Sequence, residues 1–136
     1  MKQPKISVLI PSYNGAKYVG EAIESVLKQT CPDFELIIAD DRSSDNTIKI
    51  IKSYAKKDKR IRYFIQEKNL GSAQNINSLL LQSKGEYIKI LIQDDVIAPE
   101  YLELGAEILD KNPQISLVTS YQKFIGDSSE IRKMPV

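Results

Sequence analysis

The sequence contains no histidine. That removes catalytic triads built on imidazole and zinc sites with imidazole ligands. It contains one cysteine, Cys31, so no internal disulfide can form, which fits a reducing compartment. Cys31 precedes Pro32 beside an apolar run and reads as a small, buried or half-buried residue rather than a nucleophile. No apolar stretch approaches a membrane span, and the opening "MKQPKISVLIP" has too short an apolar run for a secretory signal. Internal repeats and low-complexity segments are absent too. So is any excess of charge: 19 basic and 18 acidic residues leave a net charge of +1. The chain as a whole has no electrostatic pull toward nucleic acid or an anionic membrane. Its densest basic run, "KKDKR" at Lys56 to Arg60, reads as the solvated end of a helix.

What is present is enough for one compact soluble domain: 136 residues, 42% apolar and 27% charged. Short apolar runs predict strands at Ile6 to Ile10, Phe34 to Ala39, Ile61 to Ile65, Tyr87 to Ile92 and Ile115 to Thr119. Between them the apolar residues recur at helical spacing. Tyr18, Ala22, Ile23, Val26 and Leu27 share one face, as do Ile48, Ile51 and Tyr54, with Asp45 or Ser44 as a cap. A third helix is expected over Ser72 to Ser83, with Ile76, Leu79 and Leu80 inward. A fourth is expected from Pro99 to about Asp110, with Leu102, Ala106 and Leu109 inward. Strand and helix alternate throughout. The expected fold is α/β, a Rossmann-like, mainly parallel sheet with right-handed crossovers and helices on both faces.

In such sheets ligands bind beyond the carboxyl ends of the strands, where strand order reverses. Three strand ends carry notable residues: Pro11-Ser12-Tyr13-Asn14-Gly15, Asp40-Asp41 and Gln93-Asp94-Asp95. With strand order 3-2-1-4, the two aspartate pairs would flank the first loop, roughly 10 Å apart at about 4.8 Å per strand. That gap suits a nucleotide. Adjacent carboxylates repel, and a divalent cation at Asp94 and Asp95 would offset the repulsion. Either pair alone is ordinary turn chemistry; two pairs on one sheet edge are less so. A phosphoacceptor signalling domain needs its acids after the first and third strands, and here the first ends in Pro-Ser-Tyr-Asn. A dinucleotide-binding oxidoreductase needs Gly-x-Gly-x-x-Gly, which "PSYNGA" lacks.

Four stretches, "SVLIPSYNGAKYVGEAIESVLKQT" from Ser7, "DFELIIADDRSSDNT" from Asp33, "NLGSAQNINSLLLQSKGEYI" from Asn69 and "QDDVIAPEYL" from Gln93, follow one another between residues 7 and 102. In that order the chain resembles the family 2 glycosyltransferases, specifically the nucleotide-sugar-binding half of their GT-A fold. The resemblance implies an inverting, divalent-metal-dependent transferase. It moves a sugar from a nucleoside-diphosphate sugar, expected to be a UDP sugar, to a glycan or lipid-linked acceptor. It also implies residue roles. Pro11, Ser12, Tyr13 and Asn14 lie under base and ribose, and Asp41 accepts a hydrogen bond from the base. Asn69 and Gly71 approach the nucleotide's far side. Of Asp94 and Asp95, one meets ribose or phosphate and the other ligates Mg²⁺ or Mn²⁺.

The chain departs from the family pattern at three positions. Ile92 replaces the first acid of the metal motif, Arg42 stands where glycine is common, and Gln74 replaces a basic residue. The family's catalytic base comes from an acceptor-binding half that would follow, so the base is expected beyond Val136. Residues 1–136 are therefore expected to be a single donor-binding domain truncated before that half, with Asp127 and Glu130 in a polar loop. A nucleotide-binding module without catalysis is the alternative. Bacterial surface polysaccharide assembly is the implied setting, in the cytoplasm or at the inner face of the membrane, with weak self-association and no nucleic-acid partner.

Overall fold

The computed structural model describes residues 3–126. Its elements are β1 (Ile6–Ser12), α1 (Val19–Leu27), β2 (Phe34–Asp40), α2 (Thr47–Ala55), β3 (Ile61–Ile65), α3 (Ser72–Gln82), β4 (Tyr87–Ile90) and α4 (Tyr101–Lys111). The strands form one parallel sheet in the order β3-β2-β1-β4, the order supposed above. β1 and β2 are buried along their whole length. A central strand of a parallel sheet is covered on both faces, which is why these two read as continuous apolar runs. On one face Val8, Ile10, Leu36 and Ile38 meet Val19, Ile23 and Val26 of α1, Ile51 of α2 and Leu102 of α4. On the other, Leu9, Ile37 and Ala39 meet Leu79 of α3. Burying each such Leu, Ile or Val side chain contributes about 1.5–3 kcal/mol. Cys31 is half-buried against the first cluster.

β1 runs two residues past its predicted end, through Pro11, while β4 stops two residues short. The two sides of β1 explain the two differences. Pairing of β1 with β4 places Leu9 opposite Ile90, and the Leu91 amide donates to the Leu9 carbonyl at 2.9 Å. The next rung would need an amide hydrogen at residue 11, and proline has none. β1 continues because its pairing with β2 goes on to Ser12 opposite Asp40. β4 is released.

Four further expectations need correction. Ile115 to Thr119 forms no strand. Residues 117–120 lie along a groove of about 580 Å³ beside β4 and α4, with Leu117 80% exposed. Apolar, β-branched composition favours a pleated surface, but a strand also needs a ladder, and the four-residue edge strand β4 gives this segment none. α4 begins at Tyr101 rather than Pro99, because the Tyr101 amide closes a turn onto the Ala98 carbonyl at 3.0 Å. α3 turns Asn75 and Leu79 inward and leaves Leu80 37% exposed. The Asn75 amide fixes that rotation by donating to the Ala39 carbonyl at 2.9 Å. Finally, the Lys56 to Arg60 run is solvated only in part: Arg60 pairs with Asp58 at 2.7 Å and stacks 4.3 Å from the Phe34 ring. Asp127, Glu130 and Val136 lie outside the described residues, and so does the expectation of a catalytic base beyond Val136.

Candidate functional site

The carboxyl ends of β1, β2 and β4 converge on one edge of the sheet, and between β1 and β4 the strand order reverses. Each candidate residue can be placed from there.

The segment after β1 is latched to the segment after β2. Asn14 takes a left-handed backbone, φ 48°. Its amide donates to Ser43 Oγ at 2.9 Å, and its side-chain oxygen accepts the Ser44 amide at 2.9 Å. The Gly15 amide donates to Thr47 Oγ1 at 2.8 Å and the Ala16 amide to Asp45 Oδ2 at 3.1 Å. Asp45 also accepts the Thr47 amide at 2.9 Å, so the predicted cap residue works as a turn residue just ahead of α2. Burial alone would raise its pKa. The hydroxyl and amide of Thr47 and the amide of Ala16 outweigh burial and hold the carboxyl below its usual range.

The two acids at the end of β2 are both buried and both occupied. Asp40 accepts the Ser43 amide at 3.0 Å and hydroxyl at 2.6 Å, closing the loop on itself. Asp41 is only 3% exposed. Its Oδ1 accepts the Leu70 amide at 2.7 Å and its Oδ2 the Gly71 amide at 2.9 Å, while its carbonyl accepts Asn69 Nδ2 at 3.2 Å. Gly71 has φ 80°, a left-handed value that favours glycine. The structure thus brings Asp41, Asn69 and Gly71 into one cluster. Each Asp41 oxygen keeps a second lone pair for a further donor. Arg42 adopts φ 68°, the left-handed turn that glycine serves elsewhere in the resemblance.

The second acid pair is different in kind. Asp94 and Asp95 are exposed, in a turn closed by the Asp95 amide on the Ile92 carbonyl at 3.0 Å. Among the described residues, no group of three or more His, Cys, Asp or Glu side chains is arranged to hold a metal. The pair offers hard oxygen donors only. That suits Mg²⁺ or Mn²⁺ completed by water and substrate phosphate, not a closed protein cage. The chain beyond is pinned to the end of α1. Gln29 donates to the Ala98 carbonyl at 2.7 Å and accepts the Leu102 amide at 2.9 Å, and the Thr30 amide donates to the Pro99 carbonyl at 2.9 Å.

Two residues that sequence reasoning gave no role organise this edge: Gln29 and Gln93. The Gln93 amide bridges the gap that Pro11 opens. Its Oε1 accepts Ser12 Oγ at 2.8 Å and the Tyr13 amide at 3.0 Å, and its Nε2 donates to the Tyr13 carbonyl at 2.9 Å. The only signal in the sequence was a polar amide directly before the acids; which way a side chain points past a strand end is not written in the pattern. Tyr13 itself is 49% exposed, its ring free to meet a planar ligand.

The chain is similar to known proteins in sequence and in fold. A family model described as glycosyl transferase family 2 matches residues 7–135. An uncharacterised glycosyltransferase of Methanocaldococcus jannaschii is 38% identical over 135 residues, covering 98% of this chain and 47% of that protein. Glycosyltransferase GlyG of Streptococcus pneumoniae serotype 4 is 37% identical over 117 residues, 85% of this chain and 39% of GlyG. The chain thus spans about half or less of the length of these relatives. Among solved structures, S. aureus TarS 1-349 in complex with UDP-GlcNAc superposes with a TM-score of 0.76 at 34% identity, over 80% of this chain and 32% of that one.

Proposed function

The chain belongs to glycosyl transferase family 2 and has the GT-A fold, and from that premise we propose that its cleft binds a UDP sugar as the donor half of an inverting, divalent-metal-dependent transferase. One observation carries the reading. Two aspartate pairs flank the open end of β1, one buried and spent on holding loops, the other exposed and uncommitted.

Tyr13 lies beside the base over Pro11, Ser12 and Asn14. Asp41 offers the base N3–H a lone pair that Leu70 and Gly71 leave over, and Asn69 and Gly71 line the far side. Of Asp94 and Asp95, one would meet ribose or phosphate and the other would hold Mg²⁺ or Mn²⁺. When bound, the cation supplies charge neutralisation to the leaving diphosphate. The chain's own part is to hold the donor in one orientation and to aim its diphosphate at the acid pair. In this reading the base that activates the acceptor hydroxyl comes from beyond Val136. That TarS is solved with UDP-GlcNAc at 34% identity supports uracil as the base of the donor nucleotide. The family resemblance alone supports a glycan or lipid-linked acceptor.

Calorimetric titration of UDP with and without Mn²⁺ tests the reading. UDP binds, and Mn²⁺ strengthens it. Equal affinity in both arms removes the metal role of Asp94 and Asp95, and no binding in either removes the nucleotide site. A second reading, a nucleotide-binding module that does not itself transfer sugar, is favoured by the chain's matching half or less of its relatives. A transfer assay with radiolabelled UDP sugar and a panel of acceptors separates the two, since robust transfer by these 136 residues defeats the second.

A further inference from the structure

We infer that Gln93 is a positioning residue: its amide ties the turn bearing Asp94 and Asp95 to the Ser12-Tyr13 segment, making the base side and the diphosphate side of the cleft one preorganised unit. The inference rests on the cleft being a nucleotide site.

The geometry is specific. Gln93 forms a two-bond ring with the Tyr13 peptide, accepting its N–H and donating to its carbonyl, and takes the Ser12 hydroxyl as well. This is how a neighbouring strand would pair, supplied by a side chain where the backbone ladder has ended at Pro11. Exchanging the amide's oxygen and nitrogen would set donor against donor at the Tyr13 N–H and acceptor against acceptor at its carbonyl, so only one orientation fits. A second observation agrees. A Cβ on Gly15 would stand 2.0 Å from Gln93 Oε1 and 2.4 Å from Cδ. The absence of a side chain at Gly15 is what lets the amide lie across the loop.

Asp94 and Asp95 follow Gln93 directly, in the turn closed by the Asp95 amide on the Ile92 carbonyl. Without Gln93, the Tyr13 peptide loses its partners on the β4 side. Ligand binding must then order the loop as well as fill the site.

The test uses the intact 136-residue chain and the variant Gln93→Met, which keeps the length and apolar stem of the side chain and removes its hydrogen bonds. Two readouts are taken with UDP as the probe: hydrogen exchange and chemical shift of the Tyr13 amide by NMR, and UDP affinity by calorimetry. In the wild-type chain the Tyr13 amide is protected. In Gln93→Met its exchange accelerates at least about tenfold while core amides such as those of Leu36 and Ile38 keep their protection, and UDP affinity falls about tenfold, equivalent to about 1.4 kcal/mol. Gly15→Ala, which displaces the amide from the other side, reproduces the Tyr13 signature with Gln93 intact. A residue that merely stabilised the fold would loosen the core amides together with Tyr13, and that result overturns the inference. So does a UDP affinity unchanged in Gln93→Met, or a Tyr13 amide unprotected in the wild-type chain. If the wild-type chain binds no UDP, the nucleotide reading fails and takes the positioning role with it, a failure marked apart because Tyr13 protection still reports whether the clamp exists.

Discussion

Asp41 and Asp95 are the same residue type on the same edge of the sheet, and their surroundings give them opposite parts. Both oxygens of Asp41 are held by amides of the next loop. In Asp41→Asn the new NH₂ would face one of those amides, donor against donor. The variant should lose about 1–3 kcal/mol in denaturant melts, whether or not nucleotide is present. Asp95 is exposed, and its backbone, not its side chain, closes the turn. Asp95→Asn should leave metal-free stability within about 0.5 kcal/mol and abolish the gain in UDP affinity on adding Mn²⁺. A clear destabilisation in the absence of metal would assign it to the turn instead. Arg42, held at φ 68°, is the strained member of the loop. A left-handed backbone at a non-glycine residue costs roughly 1–2 kcal/mol, and a glycine gives back about half of that in chain entropy, so Arg42→Gly should raise stability by up to about 1 kcal/mol in the same melts.

At the scale of elements, the opposite end of the sheet shows what closes the framework. Glu35 of β2 accepts the Ser7 hydroxyl at 2.7 Å, the Lys84 amide at 2.8 Å and the Arg62 guanidinium at 2.9 Å; Arg62 also donates to the Gln82 carbonyl at the end of α3 at 2.8 Å. The network joins β1, β2, β3, α3 and the approach to β4. Burial pushes the Glu35 carboxyl up, but Ser7, Arg62 and Lys84 together bring it below its ordinary value of 4.5. A carboxyl lowered in the folded state contributes stability that is full above the unfolded value and is lost as pH falls through the folded one. Unfolding midpoints followed downward from neutral pH should therefore drop below about pH 4.5, and Glu35→Gln should flatten that limb while lowering the neutral plateau. At Gly85, a Cβ would stand 2.4 Å from the Ser7 backbone nitrogen, so the close approach of the α3–β4 connection to β1 requires glycine.

For the molecule as a whole, ligand linkage gives the broadest check. Anything that binds only the folded state stabilises it by mass action, by about 2.7 kcal/mol at a hundred times its dissociation constant. UDP with Mn²⁺ should raise the melting temperature, and the increment due to Mn²⁺ should vanish in Asp95→Asn. The parallel sheet and its two covered faces were legible in the residues, because unbroken apolar runs mark central parallel strands and because the alternation of elements leaves few topologies. Both aspartate pairs were legible as a pattern. Their division of labour was not: burial of Asp41 depends on Leu70 and Gly71, nearly thirty positions away along the chain. Nor was the missing strand at Ile115 to Thr119, where composition favoured pairing and the edge of β4 supplied no partner.

Pro11 sets a conflict between durability and use. An alanine there would restore the amide that the Leu91 carbonyl lacks as a partner in the ladder, and one more rung would zip β4 onto β1 at the start of the proposed donor cleft. A selection for heat resistance alone would reward that closure, and a selection for donor binding would reject it. Variants recovered under the first pressure should therefore collect at Pro11 and the residues facing it, more robust than the parent and with a narrower mouth.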